Sequence, residues 1–159
     1  MATTLKQLYP GGSALTITLN SLGSGAARCS LAVDNTTNLY DDVLLGGSFK
    51  PGTITASTAT VINIYVAALT DGTNYSGGAP GTDAAYTVPT YAGDLILIAV
   101  IPMQASATIE YIKKVSVANA FNGALPSKYC FIVQNQTGAA LDGTAGGTLY
   151  IDPIQWQNV

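Results

Sequence analysis

Histidine is absent from this chain of 159 residues, and charge of either sign is scarce: six Lys and Arg against nine Asp and Glu, 9% of the chain, with a net charge of −3. A typical soluble domain is about a quarter charged. Without histidine there is no Ser-His-Asp or Cys-His nucleophile and no histidine-bearing zinc site. A glycine-rich phosphate loop ending in Gly-Lys-Ser/Thr is missing, as is a dinucleotide fingerprint between strand and helix. Basic residues are scattered, Lys113 and Lys114 being the one adjacent pair. With no basic stripe to displace counterions, nucleic-acid binding is not expected. The longest apolar run, residues 95–103, is far short of the ~20 residues that span a bilayer, so no membrane role is expected either. The opening Met1-Ala2-Thr3-Thr4-Leu5-Lys6 has neither the charged nor the apolar region of a signal peptide, which leads us to expect synthesis in a cytoplasm.

Cysteine is nearly missing too. Cys29 and Cys130 each sit in an apolar, strand-like run, and cytoplasmic synthesis favours two buried free thiols. A bridge stays open if the two strands prove to be neighbours. The acids offer little for catalysis, since Glu110 is the lone glutamate and most of the aspartates fall at turns, where Asp bonds its own backbone. Adjacent Asp41 and Asp42 cannot form a glycosidase pair, because neighbouring strand residues point to opposite faces. No catalytic residue, cofactor or metal is assigned. The loop from Asp71-Gly72-Thr73-Asn74 to Asp83 has oxygens for Ca²⁺ but lacks the calcium-loop spacing and its glutamate. It reads as a solvated turn. Sequons at Asn35, Asn74 and Asn135 read as chance matches in a Thr- and Asn-rich chain.

What is present is a β-forming vocabulary. Hydrophobic residues make up 48%, near the globular norm of about 45–50%, and a chain of this length buries about 70% of its unfolded surface. Leu15, Ile17 and Leu19 alternate with Thr16 and Thr18, the period-two mark of a half-buried strand. Further runs fall at residues 27–33, 40–49, 61–69, 94–102, 108–117, 129–134 and 148–155. Gly46-Gly47 suggests a bulge, and the doubled Lys113-Lys114 breaks the phase of its run. The apolar run 94–102 predicts a central strand with both faces covered, and Pro153 predicts an edge or a bulge for the last strand. Residues 118–125 have room for one helical turn. Eight strands with no convincing helix predict an all-β, antiparallel β-sandwich, and eight is the jelly-roll count. We divide the chain into an extended arm, residues 1–12, and one sandwich domain, residues 13–159.

Nine tyrosines and one tryptophan outnumber three phenylalanines. Loop tyrosines among Ser, Gly and Asn make contact surfaces at low ordering cost, although Tyr is also a good filler of sheet faces. Candidate partner contacts are Leu5, Leu8 and Tyr9 in the arm, Tyr75, Tyr86 and Tyr91 in or beside the long loop, and Trp156.

Three stretches carry a resemblance: Asp34-Asn35-Thr36-Thr37-Asn38-Leu39-Tyr40-Asp41-Asp42, then Gly81-Thr82-Asp83-Ala84-Ala85-Tyr86-Thr87, then residues 115–129 running on through Asn135-Gln136-Thr137-Gly138. From about Ala32 onward the chain resembles small jelly-roll structural proteins of tailed bacteriophages, the capsid cement or decoration proteins among them. The resemblance implies a homotrimer on the virion surface whose partner is the major capsid protein. It implies no active site. A carbohydrate- or receptor-binding module of a tail or baseplate, with Tyr75, Tyr86, Tyr91 and Trp156 stacking on a glycan, is the other class to weigh. A tail structural subunit without a ligand is a third.

Overall fold

The structure, a computed structural model, describes residues 4–55, 60–90, 93–104 and 108–158. Its strands are β1 (Leu5–Leu8), β2 (Ser13–Ala14), β3 (Ala27–Cys29), β4 (Val33–Asp34), β5 (Asp42–Phe49), β6 (Val61–Ala68), β7 (Ala84–Tyr86), β8 (Ile96–Pro102), β9 (Glu110–Ser116), β10 (Lys128–Gln136) and β11 (Gly147–Asn158). Two short 3₁₀ turns, Ser76–Gly78 and Ala118–Phe121, complete the elements. The first sheet runs β1-β11-β5-β9, with β2 also on β11; the second runs β7-β3-β10-β6-β8, with β4 also on β10. All pairings are antiparallel.

Strand alternation builds the core between the sheets. Ile62, Ile64 and Val66 of β6 and Tyr129, Phe131 and Val133 of β10 meet Val43, Leu45 and Phe49 of β5 and Leu149 and Ile151 of β11 in one buried cluster. Each large apolar side chain so buried contributes about 1.5–3 kcal/mol. The arrangement is all-β and compatible with a β-sandwich.

A second apolar layer lies outside the second sheet. Cys29, Ala67, Cys130 and Ile132 point away from the main core and are covered by Ala79, Leu95, Tyr75, Tyr86 and Val88. The chain between β6 and β8 therefore folds back over that sheet. Tyr86 donates its hydroxyl to the Gly77 carbonyl, and a Cβ at Gly81 would meet the Tyr75 ring at 2.6 Å.

Several expectations need correction. The described residues hold eleven strands rather than eight, because residues 15–19 drop out and the short β1, β2, β4 and β7 are added to the ladders. Residues 15–19 keep their alternating burial, yet form no regular strand. They cross between sheets: Leu15 N–H donates to Leu149 O in the first, and Thr16 O accepts from Leu31 N–H beside the second. Leu31 does not follow Ala27 and Cys29 inward. Ser30 is buried instead, its backbone donating to Phe131 O and its hydroxyl oxygen accepting from Phe131 N–H.

The apolar run 94–102 is not central. Among the described residues β8 pairs only with β6, and Leu97 and Val100 are exposed. The strand covered on both faces is β10, because the second layer lies over it. Pro153 is not at an edge either, since it pairs with Val43 in a strand flanked on both sides. Toward β1 and β2, however, pairing lapses at residues 152–154, so no partner strand there needs a donor from proline. The bulge is where the glycines suggested, with Lys113 and Lys114 falling where the β5–β9 register shifts between Leu45 and Gly47. At Gly47, with φ 147°, a Cβ would run into the Thr148 carbonyl, so only glycine fits.

Candidate binding surface

Most of the carboxylates are committed to the architecture. Asp71 accepts from Thr73 N–H at 2.9 Å and from the backbone and side-chain amides of Asn74 at 2.6 and 2.8 Å, closing its turn. The Asn74 side chain, then the two backbone amides, hold its carboxyl down at about 2. Asp142 does the same for Thr144 and Ala145 while pairing with Lys50 at 2.9 Å. Asp34 bonds Thr36 and pairs with Lys128 at 2.7 Å, an ion pair that holds its carboxyl well below the usual range. Asp42 Oδ1 accepts from Ala118 N–H at 2.8 Å, fixing the turn after β9. Among the described residues no group of three or more His, Cys, Asp or Glu side chains gathers in metal-binding fashion.

Cys29 and Cys130 lie on the paired strands β3 and β10 as free, fully buried thiols. The neighbouring Cys29 thiol and burial together push the Cys130 thiol far up, so it stays protonated. The Cys29 thiol is shifted the opposite way by the same contact, and it is burial of both side chains within the second apolar layer that makes them packing groups.

Six of the seven residues singled out from sequence part into two groups. Tyr75 and Tyr86 are half-buried in the second layer. Tyr91 lies outside the described residues, as do residues 1–3 of the arm. Leu5, Leu8, Tyr9 and Trp156 come together instead, on a ribbon that β1 forms with the end of β11.

That ribbon pairs Leu5 with Asn158, Lys6 with Gln157, Gln7 with Trp156 and Leu8 with Gln155. Cross-strand partners point to the same side. Leu5, Gln7 and Trp156 therefore share one face, and Leu8 takes the other. Tyr9 donates its hydroxyl to Gln7 Oε1 at 3.1 Å, which keeps its ring near the first face. Leu5, Tyr9 and Trp156 are 63%, 59% and 57% exposed, and every residue of β1 is exposed. At the base, Trp156 N–H donates to Asp41 Oδ2 at 2.9 Å. A two-stranded ribbon with no packed face is marginal alone in water, so this one presents apolar rings for which the fold itself has no use.

No protein-family model and no curated protein sequence matches this chain. No helix among the described residues is long and apolar enough to cross a membrane.

Sequence reasoning missed two aromatics. Tyr111 on β9 and Tyr150 on β11 flank β5 on the outer face of the first sheet, and with Gly46, Gly47 and Ser48 beneath them they border a hollow of about 410 Å³. The available signal was Gly46 inside a strand, which leaves a gap among the side chains of the outer face.

Proposed function

We propose that this chain is a capsid cement protein: a non-catalytic jelly-roll subunit that binds the outside of a tailed-phage head and ties neighbouring major capsid subunits together. The observation that carries this reading is the β1–β11 ribbon, with Leu5, Tyr9 and Trp156 held outside the sandwich on one face. Apolar and aromatic side chains on a projecting ribbon suit the charge-poor centre of a protein–protein contact. Strand order supports the jelly-roll part. The sequence β2-β11-β5-β9 facing β3-β10-β6-β8 is the interleaving that two Greek keys give when the chain alternates between sheets. The subunit would act by mass action, since a ligand that binds only the assembled lattice raises the free energy of pulling it apart. On this reading the protein is a homotrimer on the virion surface, made in the cytoplasm of the host.

Leu5→Ser combined with Trp156→Ser tests it. Binding to capsids lacking the protein should weaken at least about 10-fold, or about 1.4 kcal/mol. The melting temperature should hold, because neither side chain enters a core cluster. Unchanged binding would remove the ribbon from the interface. Immunogold labelling of intact virions gives the location: label over the whole head is expected, and label confined to the tail tip would replace the cement reading with a tail receptor-binding one. The loop tyrosines do not favour that second reading, because Tyr75 and Tyr86 pack inward.

A further inference from the structure

The hollow over Gly46 has a chemistry of its own, separate from the ribbon. Tyr111 and Tyr150 stand on the two strands either side of β5, opposite Ser48 and Gly46 respectively. With strands ~4.8 Å apart and ~3.4 Å per residue, their backbones lie about 12 Å from each other across the sheet. Tyr111 is 78% exposed and Tyr150 47%, so neither ring is held by the core. Lys114 and Asp152 line the same hollow and pair with each other there. The volume of about 410 Å³ is that of a small-molecule site, and such sites combine aromatic walls with a few fixed polar groups.

We propose that this hollow binds a neutral pyranose ring, with its apolar C–H faces against Tyr111 and Tyr150 and its hydroxyls at Ser48, Lys114 and Asp152. Three observations select that class. β5 is paired on both sides, so the floor offers no free strand edge and an extended peptide has no backbone ladder to join. The one cation and the one anion of the hollow neutralise each other, which gives no preference for a charged ligand. Two exposed tyrosine rings beside a few polar groups suit a ligand that is apolar on its faces and polar at its rim. A Cβ at Gly46 would meet the Lys114 side chain, Cγ at 3.5 Å and Cε at 4.0 Å, so alanine fits the fold while crowding the site. The proposal does not depend on the cement reading, because Trp156 and Leu5 take no part in it.

A ¹⁵N-edited NMR titration of the whole chain tests it, using methyl α-glucopyranoside, methyl α-mannopyranoside, methyl β-galactopyranoside and N-acetylglucosamine as separate probes. At least one should shift the amides of Gly46, Gly47, Ser48, Tyr111 and Tyr150, saturating in the range of about 1–10 mM. Tyr111→Ala, Tyr150→Ala and Gly46→Ala should each weaken that binding 10-fold or more with the rest of the spectrum preserved, and Trp156→Ala should leave it unchanged. Silence from all four probes at 100 mM overturns the proposal. So do shifts confined to other residues, shifts produced only by a charged sugar such as glucose 6-phosphate, or concentration-dependent shifts of the same amides without sugar, which would make the occupant a second copy of this chain.

Discussion

Tyr129 is among the largest fully buried side chains, its ring edge-on to Phe131 with centroids 5.7 Å apart. Its hydroxyl is also buried and has no hydrogen-bond partner among the described residues. Burial pushes the phenol far above its ordinary range, so it stays neutral. An unsatisfied buried hydroxyl costs about 1–3 kcal/mol. Tyr129→Phe keeps the ring contact and removes that cost. We expect it to stabilise the fold by about 1 kcal/mol, seen as a higher urea midpoint at constant m-value. A lower midpoint would mean that the hydroxyl is satisfied after all.

Among the elements, the crossover at residues 15–19 depends on one carboxylate. Asp83, just ahead of β7, accepts from Thr18 N–H at 3.0 Å, from the Thr18 hydroxyl at 2.6 Å and from Arg28 Nε at 2.5 Å, while Arg28 Nη2 donates to its carbonyl at 3.1 Å. Burial alone would raise its carboxyl, but Arg28 and Thr18 prevail and hold it at about 2, against 3.8 when unperturbed. The folded value is the lower one, so the contribution is present above about pH 4 and is lost as pH falls towards 2. Asp83→Asn should cost about 2 kcal/mol at pH 7. It should also shrink the fall in denaturation midpoint between pH 4 and 2; an undiminished fall would place the acid sensitivity elsewhere.

The same elements show what the sequence could and could not reveal. Ile62, Ile64 and Val66 announced their buried face because alternation is local, and Gly46-Gly47 with Lys113-Lys114 announced the bulge for the same reason. Residues 96–101 and 129–133 are alike in being wholly apolar. Which of them gains a second covered face depends on the chain before β8 folding back over β3 and β10, a long-range event with no local mark. Tyr75 and Tyr86 were misplaced with it: residues among Ser, Gly and Asn that looked like loop contacts are the roof of the second layer. The ribbon was half-legible. Leu5, Tyr9 and Trp156 stood out by type, but their meeting joins opposite ends of the chain. Tyr111 and Tyr150 are brought together only by β5 lying between their strands.

For the whole molecule, exposed apolar groups lie at several separate places: the ribbon, Leu97 and Val100 on the β8 edge, and Tyr111 and Tyr150 on the first sheet. An unpaired strand edge with outward apolar side chains invites pairing with another chain. A homotrimer would cover surfaces of this kind, and sedimentation equilibrium at micromolar concentration should then give three times the chain mass. A single species at the monomer mass across that range would exclude it.

Leu5 lies opposite Asn158, so both ends of the described chain leave the fold at one spot, on the ribbon proposed to attach. Anything attached beyond Leu5 or Asn158 would crowd that contact, and these two residues are close enough for a short linker to join them. Circular permutation is therefore open to this fold. New ends cut between Gly72 and Thr73, in an exposed turn that a single aspartate closes, would free the ribbon and carry cargo on a different part of the molecule.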